Sequence, residues 1–300
     1  MDYIRLKYFK AVAKFENITH AANSLYIPQP SLSKSIAQLE QELGVPLFER
    51  TGNRIRINEF GKRFLEAVDK SFSALNAGIR EITDLAGLEH GQVAISAAVF
   101  PNLPDVFRTF LNQYPDVDLK FFQDRQHDEV YRRLKSGEID IGIDFLPFED
   151  SDIESILIGQ NIYFLLLPYG HSLSGRESID LSEIANEPFI HQLAMNNMRD
   201  LTLTFCKKAG FEPVFSKVTM ESSDSNLVSS LVACGCGNAF MPRHWWNRVD
   251  TTKTTRLKIE KPLCNQDIWL SYMKGHYLSL AAQAFIQLVE GMLLSDSLYD

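Results

Sequence analysis

Long apolar runs are missing from this chain. No stretch of about 18 apolar residues occurs, and Met1-Asp2-Tyr3-Ile4-Arg5 enters an amphipathic pattern at once instead of the apolar core of a signal peptide. That excludes a membrane-spanning or exported protein, including an exported solute-binding protein, and leaves the cytoplasm as the expected compartment. Cysteine is scarce too. Cys206, Cys234, Cys236 and Cys264 are too few to staple a chain of 300 residues, and Cys234-Gly235-Cys236 lacks the second thiol pair that a zinc site takes, so they read as mostly buried thiols. Catalytic signatures are absent as well: no phosphate-cradling loop, no H-E-x-x-H, and no dinucleotide G-x-G-x-x-G after a strand. Gly170-His171-Ser172-Leu173-Ser174 approximates a nucleophile elbow but carries serine where the turn needs its last glycine. The expectation is a protein that is not an enzyme and uses neither metal nor cofactor.

What is present is 45% hydrophobic residues, enough for two or three cores, and a charge that is unevenly spread. Residues 1–66 hold ten Lys/Arg against seven Asp/Glu, a surplus of three, so the remainder carries -11 of the overall -8. A cationic head on an acidic body suits one nucleic-acid-facing domain attached to one that is not.

In the head, Leu6, Phe9, Val12 and Ala13 recur at helical spacing, which predicts a helix from about Tyr3 to Phe15. Thr19 reads as the N-cap of a short second helix, His20 to Tyr26, ended by Ile27-Pro28. Pro30 suits the first turn of a third helix, in which Leu32, Ile36, Leu39 and Leu43 form one buried stripe before the stop at Gly44. Three short helices with a tight turn before the third make a helix-turn-helix. The outward N-terminal end of the third carries Gln29, Ser31, Ser33, Lys34 and Ser35, hydrogen-bonding groups that can reach base edges. Then Arg50-Thr51-Gly52-Asn53-Arg54-Ile55-Arg56-Ile57 forms two extended stretches around a Gly-Asn turn, a hairpin wing with arginines placed for backbone or minor-groove contact.

This region, nearly all of residues 4–65, resembles the N-terminal domain of LysR-type transcriptional regulators. Ala21-Ala22, Gln29-Pro30-Ser31, Ser33, Leu39-Glu40, Leu43-Gly44, Leu47-Phe48 and Arg50 carry the likeness. It implies that Gln29, Pro30, Ser31, Ser33 and Lys34 face the major groove of double-stranded DNA while Arg50, Asn53 and Arg54 belong to the wing. The chain departs from the family where Lys34 replaces the more usual arginine, Asn53 a frequent basic residue, and Ile57-Asn58 the usual Leu-Thr; Asn58 can still cap the next helix.

From Glu59 to about Leu88 no proline occurs, and Leu65, Val68, Phe72, Leu75, Ile79 and Ile82 alternate at steps of three and four, the a/d pattern of a coiled-coil seam. Its partner is either the rest of the chain or a second copy. A homodimer is favoured because it would present two recognition helices to two half-sites. The resemblance implies the same, with tetramers common.

Beyond His90-Gly91 the pattern changes to short apolar strands alternating with helices, which predicts two α/β lobes with mostly parallel sheets. Strands are expected at Val93–Ala97, Leu119–Phe122, Ile139–Phe145, Tyr163–Leu167, Pro188–His191, Val214–Met220, Asn238–Met241 and Ile268–Met273. The runs at 137–143, 168–173 and 231–242 resemble the LysR-type effector domain, which is similar to periplasmic binding proteins and senses small molecules between its lobes. The expected architecture is α+β and multi-domain: a winged helix-turn-helix at 1–58, a linker helix at 59–90 and an effector domain at 91–300, with lobe I at 91–161 plus 268–300 and lobe II at 162–267. Ligands in open α/β sheets sit beyond the carboxyl ends of strands. That nominates Ala98, Val99 and Phe100, then Arg125, Gln126 and Phe145, and His191 with Gln192 in the second lobe. Ala97-Ala98-Val99-Phe100 lacks the hydroxyl that family members often have after the first strand, so an effector with an apolar portion is expected. Cys206 aligns with one thiol of the peroxide-sensing members, but the partner position is Asn197, which argues against a redox switch. RNA polymerase would be a further partner if the chain activates transcription.

Overall fold

The computed structural model describes residues 2–51, 54–85, 91–97, 103–124, 126–192, 198–220 and 224–293. The chain divides into two compact units, Met1–Arg80 with Lys135–Glu138 and Glu81–Leu134 with Ile139–Asp300.

In the first unit, α1 (Tyr3–Phe15) starts where the Asp2 carboxylate accepts the Arg5 amide, and α2 (Ile18–Ser24) where the Asn17 carboxamide accepts that of His20. The second cap is a correction. Asn17, not Thr19, is the N-cap, so α2 begins and ends two residues earlier than the sequence suggested, and both residues satisfy the capping preference. Helix α3 (Gln29–Leu43) has Pro30 in its first turn and stops at Gly44, whose φ of 74° is the left-handed conformation that glycine adopts without strain. Phe9, Val12, Leu32, Ile36, Leu39 and Leu47 are sealed in the core, each contributing about 1.5–3 kcal/mol.

The wing follows as β1 (Phe48–Thr51) paired antiparallel with β2 (Arg54–Ile57). Helix α4 (Glu59–Leu85) begins behind Asn58, whose Oδ1 accepts the Gly61 amide at 2.8 Å. A Cβ at Gly61 would overlap the Leu47 carbonyl and the Ile57 side chain, so glycine is what lets α4 sit against the wing. The expected six-residue seam of α4 is split. Val68 and Phe72 are buried in the core of their own unit, Phe72 stacking on Tyr3 at 4.6 Å, and Leu65 packs against the same core. Only Leu75, Ile79 and Ile82 of the six are exposed, joined by Leu85. Helical periodicity cannot separate a stripe used within a unit from one left outside it.

The second unit runs β3 (Gln92–Ala97), α5 (Leu103–Gln113), β4 (Asp118–Phe122), α6 (His127–Lys135), β5 (Ile141–Asp144), β6 (Ile153–Pro168), β7 (Ser178–Asp180), β8 (Pro188–Gln192), α7 (Met198–Lys208), β9 (Val214–Met220), α8 (Ser225–Ala233), β10 (Ala239–Pro242), β11 (Thr254–Lys261), β12 (Asn265–Met273) and α9 (Leu280–Leu293). Strand order is β4-β3-β5-β12-β6-β11-β7, with β10 also on β6 and with β8 pairing β9. Strand β3 reads as a continuous apolar run because both its faces are covered: Val93 and Ile95 meet Phe110 and Phe285, while Ala94 lies with Val130 and Leu134 of α6.

Strand β6 corrects the sequence reading. A strand was expected to start at Tyr163; instead one strand of 16 residues runs from Ile153 through Pro168. Its first part pairs β12, from Ile153↔Met273 to Ile162↔Asn265, and its second part pairs β10 and β11 from Tyr163 onward. Gly159, the residue that looked like a break, sits beside a register shift at Ile268/Trp269 and is absorbed as a bulge. The sheets are also mixed rather than mostly parallel, since β12 runs antiparallel to both β5 and β6.

Candidate nucleic-acid interface and effector site

The buried stripe of α3 orients the rest of that helix. With Leu32, Ile36 and Leu39 inward, Gln29, Pro30, Ser31 and Lys34 are exposed, and Ser33 is half-buried. Gln29 Nε2 donates to Ser33 Oγ at 2.9 Å, which holds the carboxamide with its carbonyl oxygen uncommitted by this bond. The first turns of α3 carry no acidic residue; Glu40 and Glu42 lie in its last turns. Glu42 is paired with Arg5 at 2.7 Å. Glu40 Oε1 accepts the amides of Leu47 and Phe48 at 2.8 and 3.2 Å, and Glu16 Oε1 accepts that of Ile57 at 3.0 Å. These two carboxylates tie both strands of the wing to the helices, a positioning role that sequence pattern did not reveal because both partners are backbone amides. Arg50 and Arg54 lie on β1 and β2. Their side chains, and Asn53 altogether, fall outside the described residues, as do Ala98, Val99, Phe100 and Arg125.

The effector residues follow from strand direction. Strands β3, β4 and β5 are mutually parallel; β5 is antiparallel to β12, and β12 to β6. The three therefore run in the direction of β6, toward the point near Ile162 where it leaves β12. Past that point β6 runs away, β10 is antiparallel to it, and β8 and β9 run with β10. The carboxyl ends of β3, β4 and β5 and those of β8, β9 and β10 thus converge on the crossover from opposite sides. At the crossover itself, Tyr163 Oη accepts from Asn161 Nδ2 at 3.0 Å and donates to Gln266 Oε1 at 2.9 Å, and burial pushes its phenol well above its usual pKa.

Among the nominated residues, Gln126 is exposed just before α6, Phe145 packs partly against the first-lobe core, and Gln192 is buried at the end of β8. His191 packs its ring 4.6 Å from Phe215, and its Nε2 is buried without a hydrogen-bond partner among the described residues. Sequence reasoning missed the neighbours of these positions. His127, at the start of α6, brings Nδ1 within 2.9 Å of Asp144 Oδ2 and stacks on Phe148 at 4.2 Å. Asp144 closes β5 and also accepts the Phe145 amide. Ser96 is the hydroxyl nearest the end of β3, but it is buried and donates to Asp124, which also pairs with Arg133 at 2.7 Å. The strand-end rule that nominated Phe145 and Gln126 would have found Asp144 and His127 one residue away. After β10, His244 is half-buried, and desolvation followed by repulsion from Arg248 lowers its pKa to about 4.

Of the cysteines, Cys206 and Cys264 are buried, and burial pushes each thiol up to about 12. Cys234 is exposed and Cys236 half-buried, contrary to the expectation for that pair, because they flank the left-handed Gly235 that ends α8. Among the described residues no group of three or more His, Cys, Asp and Glu could hold a metal ion. No described helix is long and apolar enough to cross a membrane.

Comparison with known proteins bears on both units. The family model of the bacterial regulatory helix-turn-helix protein, LysR family, matches residues 4–62, and that of the LysR substrate binding domain matches residues 86–293. The chain is 32% identical over 292 residues to the HTH-type transcriptional regulator YybE of Bacillus subtilis, covering 96% of this chain and 98% of YybE. Its fold is similar to that of a full-length OxyR variant from Pseudomonas aeruginosa, with a TM-score of 0.69 at 20% identity and all of both chains covered. It is also similar to full-length CbnR complexed with its target DNA, with a TM-score of 0.59 at 23% identity, covering 98% of this chain and 100% of CbnR.

Proposed function

The chain belongs to the LysR family of DNA-binding transcriptional regulators with an effector-binding substrate domain, and from that premise we propose how the work is divided among its residues. Residues 1–58 bind the duplex, 59–90 pair two copies, and 91–300 sense a small molecule between lobe I (91–161 and 268–300) and lobe II (162–267). Gln29, Pro30, Ser31, Ser33 and Lys34 enter the major groove, and Arg50, Asn53 and Arg54 follow the backbone from the wing. The observation that carries this is the exposed, acid-free amino end of α3 set on a sealed three-helix core.

A duplex selected by the purified full chain from a random-sequence pool supplies the test. Lys34→Ala weakens binding and flattens the dependence of log K on log salt by about one unit, as expected for one lost phosphate contact. Unchanged affinity and slope would overturn the placement of the DNA face.

Pairing uses Leu75, Ile79 and Ile82, extended by Leu85, and gives a homodimer able to associate further into tetramers. The effector meets the strand ends at Ala98, Val99, Phe100, Arg125, Gln126, Phe145, His191 and Gln192. It carries an apolar portion. Support comes from Ser96, whose hydroxyl is already donated to Asp124 and so is not offered to an anion. Calorimetric titration with a metabolite panel tests this; tight binding of a small, fully polar dicarboxylate would end it. The protein works in the cytoplasm by binding rather than catalysis, and contacts RNA polymerase where it activates.

A further inference from the structure

We propose that Tyr26 is a DNA-backbone contact: its hydroxyl donates to a phosphate flanking the groove that receives α3. The proposal rests on the reading of α3 as the DNA face and adds a residue to it. Tyr26 occupies the turn between α2 and α3, and two observations about it have no explanation inside the chain. Its side chain is 96% exposed, more than any other large hydrophobic residue of the described structure. Its φ is 56°, in the left-handed region that glycine and asparagine enter readily and an aromatic residue does not.

The turn does not need a tyrosine. It is held by the backbone, with the Tyr26 amide donating to Asn23 O at 3.2 Å and the Ile27 amide to Ala22 O at 3.1 Å, while Ile27 packs against the core. Glycine would make the same turn without strain. A residue kept in a costly backbone conformation, with its whole ring in water, is explained by something it meets outside the chain.

Position names the partner. Tyr26 precedes Gln29 by three residues, at most about 10 Å of chain, at the end of α3 that faces the duplex. The groove floor is reached by α3 itself, so a side chain standing beside its first turn meets the rim, where the acceptors are phosphate oxygens. A phenol donates one hydrogen bond to such an oxygen without displacing a counterion as a lysine does. Losing it therefore lowers affinity and leaves the salt slope unchanged.

The experiment uses full-length Tyr26→Phe, Tyr26→Gly and Lys34→Ala on a duplex selected by the unmodified protein, with affinity over a salt series and a melting temperature for each. Tyr26→Phe is expected to bind about tenfold more weakly, the worth of a hydrogen bond to a charged acceptor, at an unchanged salt slope. Tyr26→Gly should bind at least as weakly while melting no lower than the parent. If Tyr26→Phe binds like the parent, the hydroxyl contact is refuted, whatever Tyr26→Gly does. If Tyr26→Gly melts well below the parent, Tyr26 serves the fold and the proposal is overturned. If Lys34→Ala loses affinity but neither Tyr26 variant does, the proposal fails and the DNA face stands; if none of the three loses affinity, the DNA face itself is misplaced.

Discussion

Ile79→Glu should convert the protein to a monomer without unfolding it. Leu75, Ile79, Ile82 and Leu85 are 54%, 62%, 69% and 80% exposed. Full burial of a leucine or isoleucine is worth about 1.5–3 kcal/mol, so covering these exposed fractions gains about 1–2 kcal/mol each. Four positions on each of two copies then gain about 8–16 kcal/mol gross, against an association cost of about 4–15 kcal/mol. The margin is thin. Glutamate at 79 forfeits about 2–4 kcal/mol over the pair and adds the cost of setting two like charges on an apolar seam, several kcal/mol more. A loss of only 4 kcal/mol is already about a thousandfold in the dissociation constant. Sedimentation velocity at submicromolar concentration reads the outcome, with circular dichroism as the check that α4 persists. Because Ile79 lies outside the core of its own unit, helix content should hold. A variant that stays dimeric with the parent's dissociation constant would refute the reasoning and mean that the stripe is covered in some other way.

Three further outcomes are expected. Gly61→Ala should destabilise the first unit by about 1–3 kcal/mol, the cost of overpacking, because its methyl would overlap the Leu47 carbonyl; an unchanged melting temperature would refute the close approach of α4 to the wing. His244 titrates near 4 when folded against an ordinary 6.5, so the unfolded chain takes up its proton first. Its contribution is intact above pH 6.5 and is lost as pH falls toward 4, at most about 2–3 kcal/mol. His244→Gln should therefore lose less melting temperature than the parent between pH 7 and 4.5, and parallel curves would contradict this. Iodoacetamide at pH 8 should label Cys234 and Cys236 in the folded protein and spare Cys206 and Cys264; equal labelling of all four would count against the two buried thiols.

Local physics was legible along the chain. Stripes of four and three residues marked α1, α3 and α4, Gly44 marked the end of α3, and the alternation of apolar runs with helices marked both lobes. Errors came where two residues compete for one role or where a partner is distant. Asn17 and Thr19 are both good caps, and only the fold of the preceding turn chooses between them. Strands β7 and β11 were not read at all: β7 is three residues long, and β11, Thr254–Lys261, is mostly polar and half-exposed. Glu40 and Glu16 look like ordinary helix acids, since what they hold is backbone many residues away.

Sequence alone determined the kinds of element, the polar end of α3 and the positive head, because these depend on neighbours within a few residues. Tertiary structure decided which part of the α4 stripe is left uncovered, that β6 passes unbroken from one set of partners to the other, and that six strand ends converge on one crossover. Those outcomes depend on which surfaces meet in space, and periodicity along a chain carries no record of that.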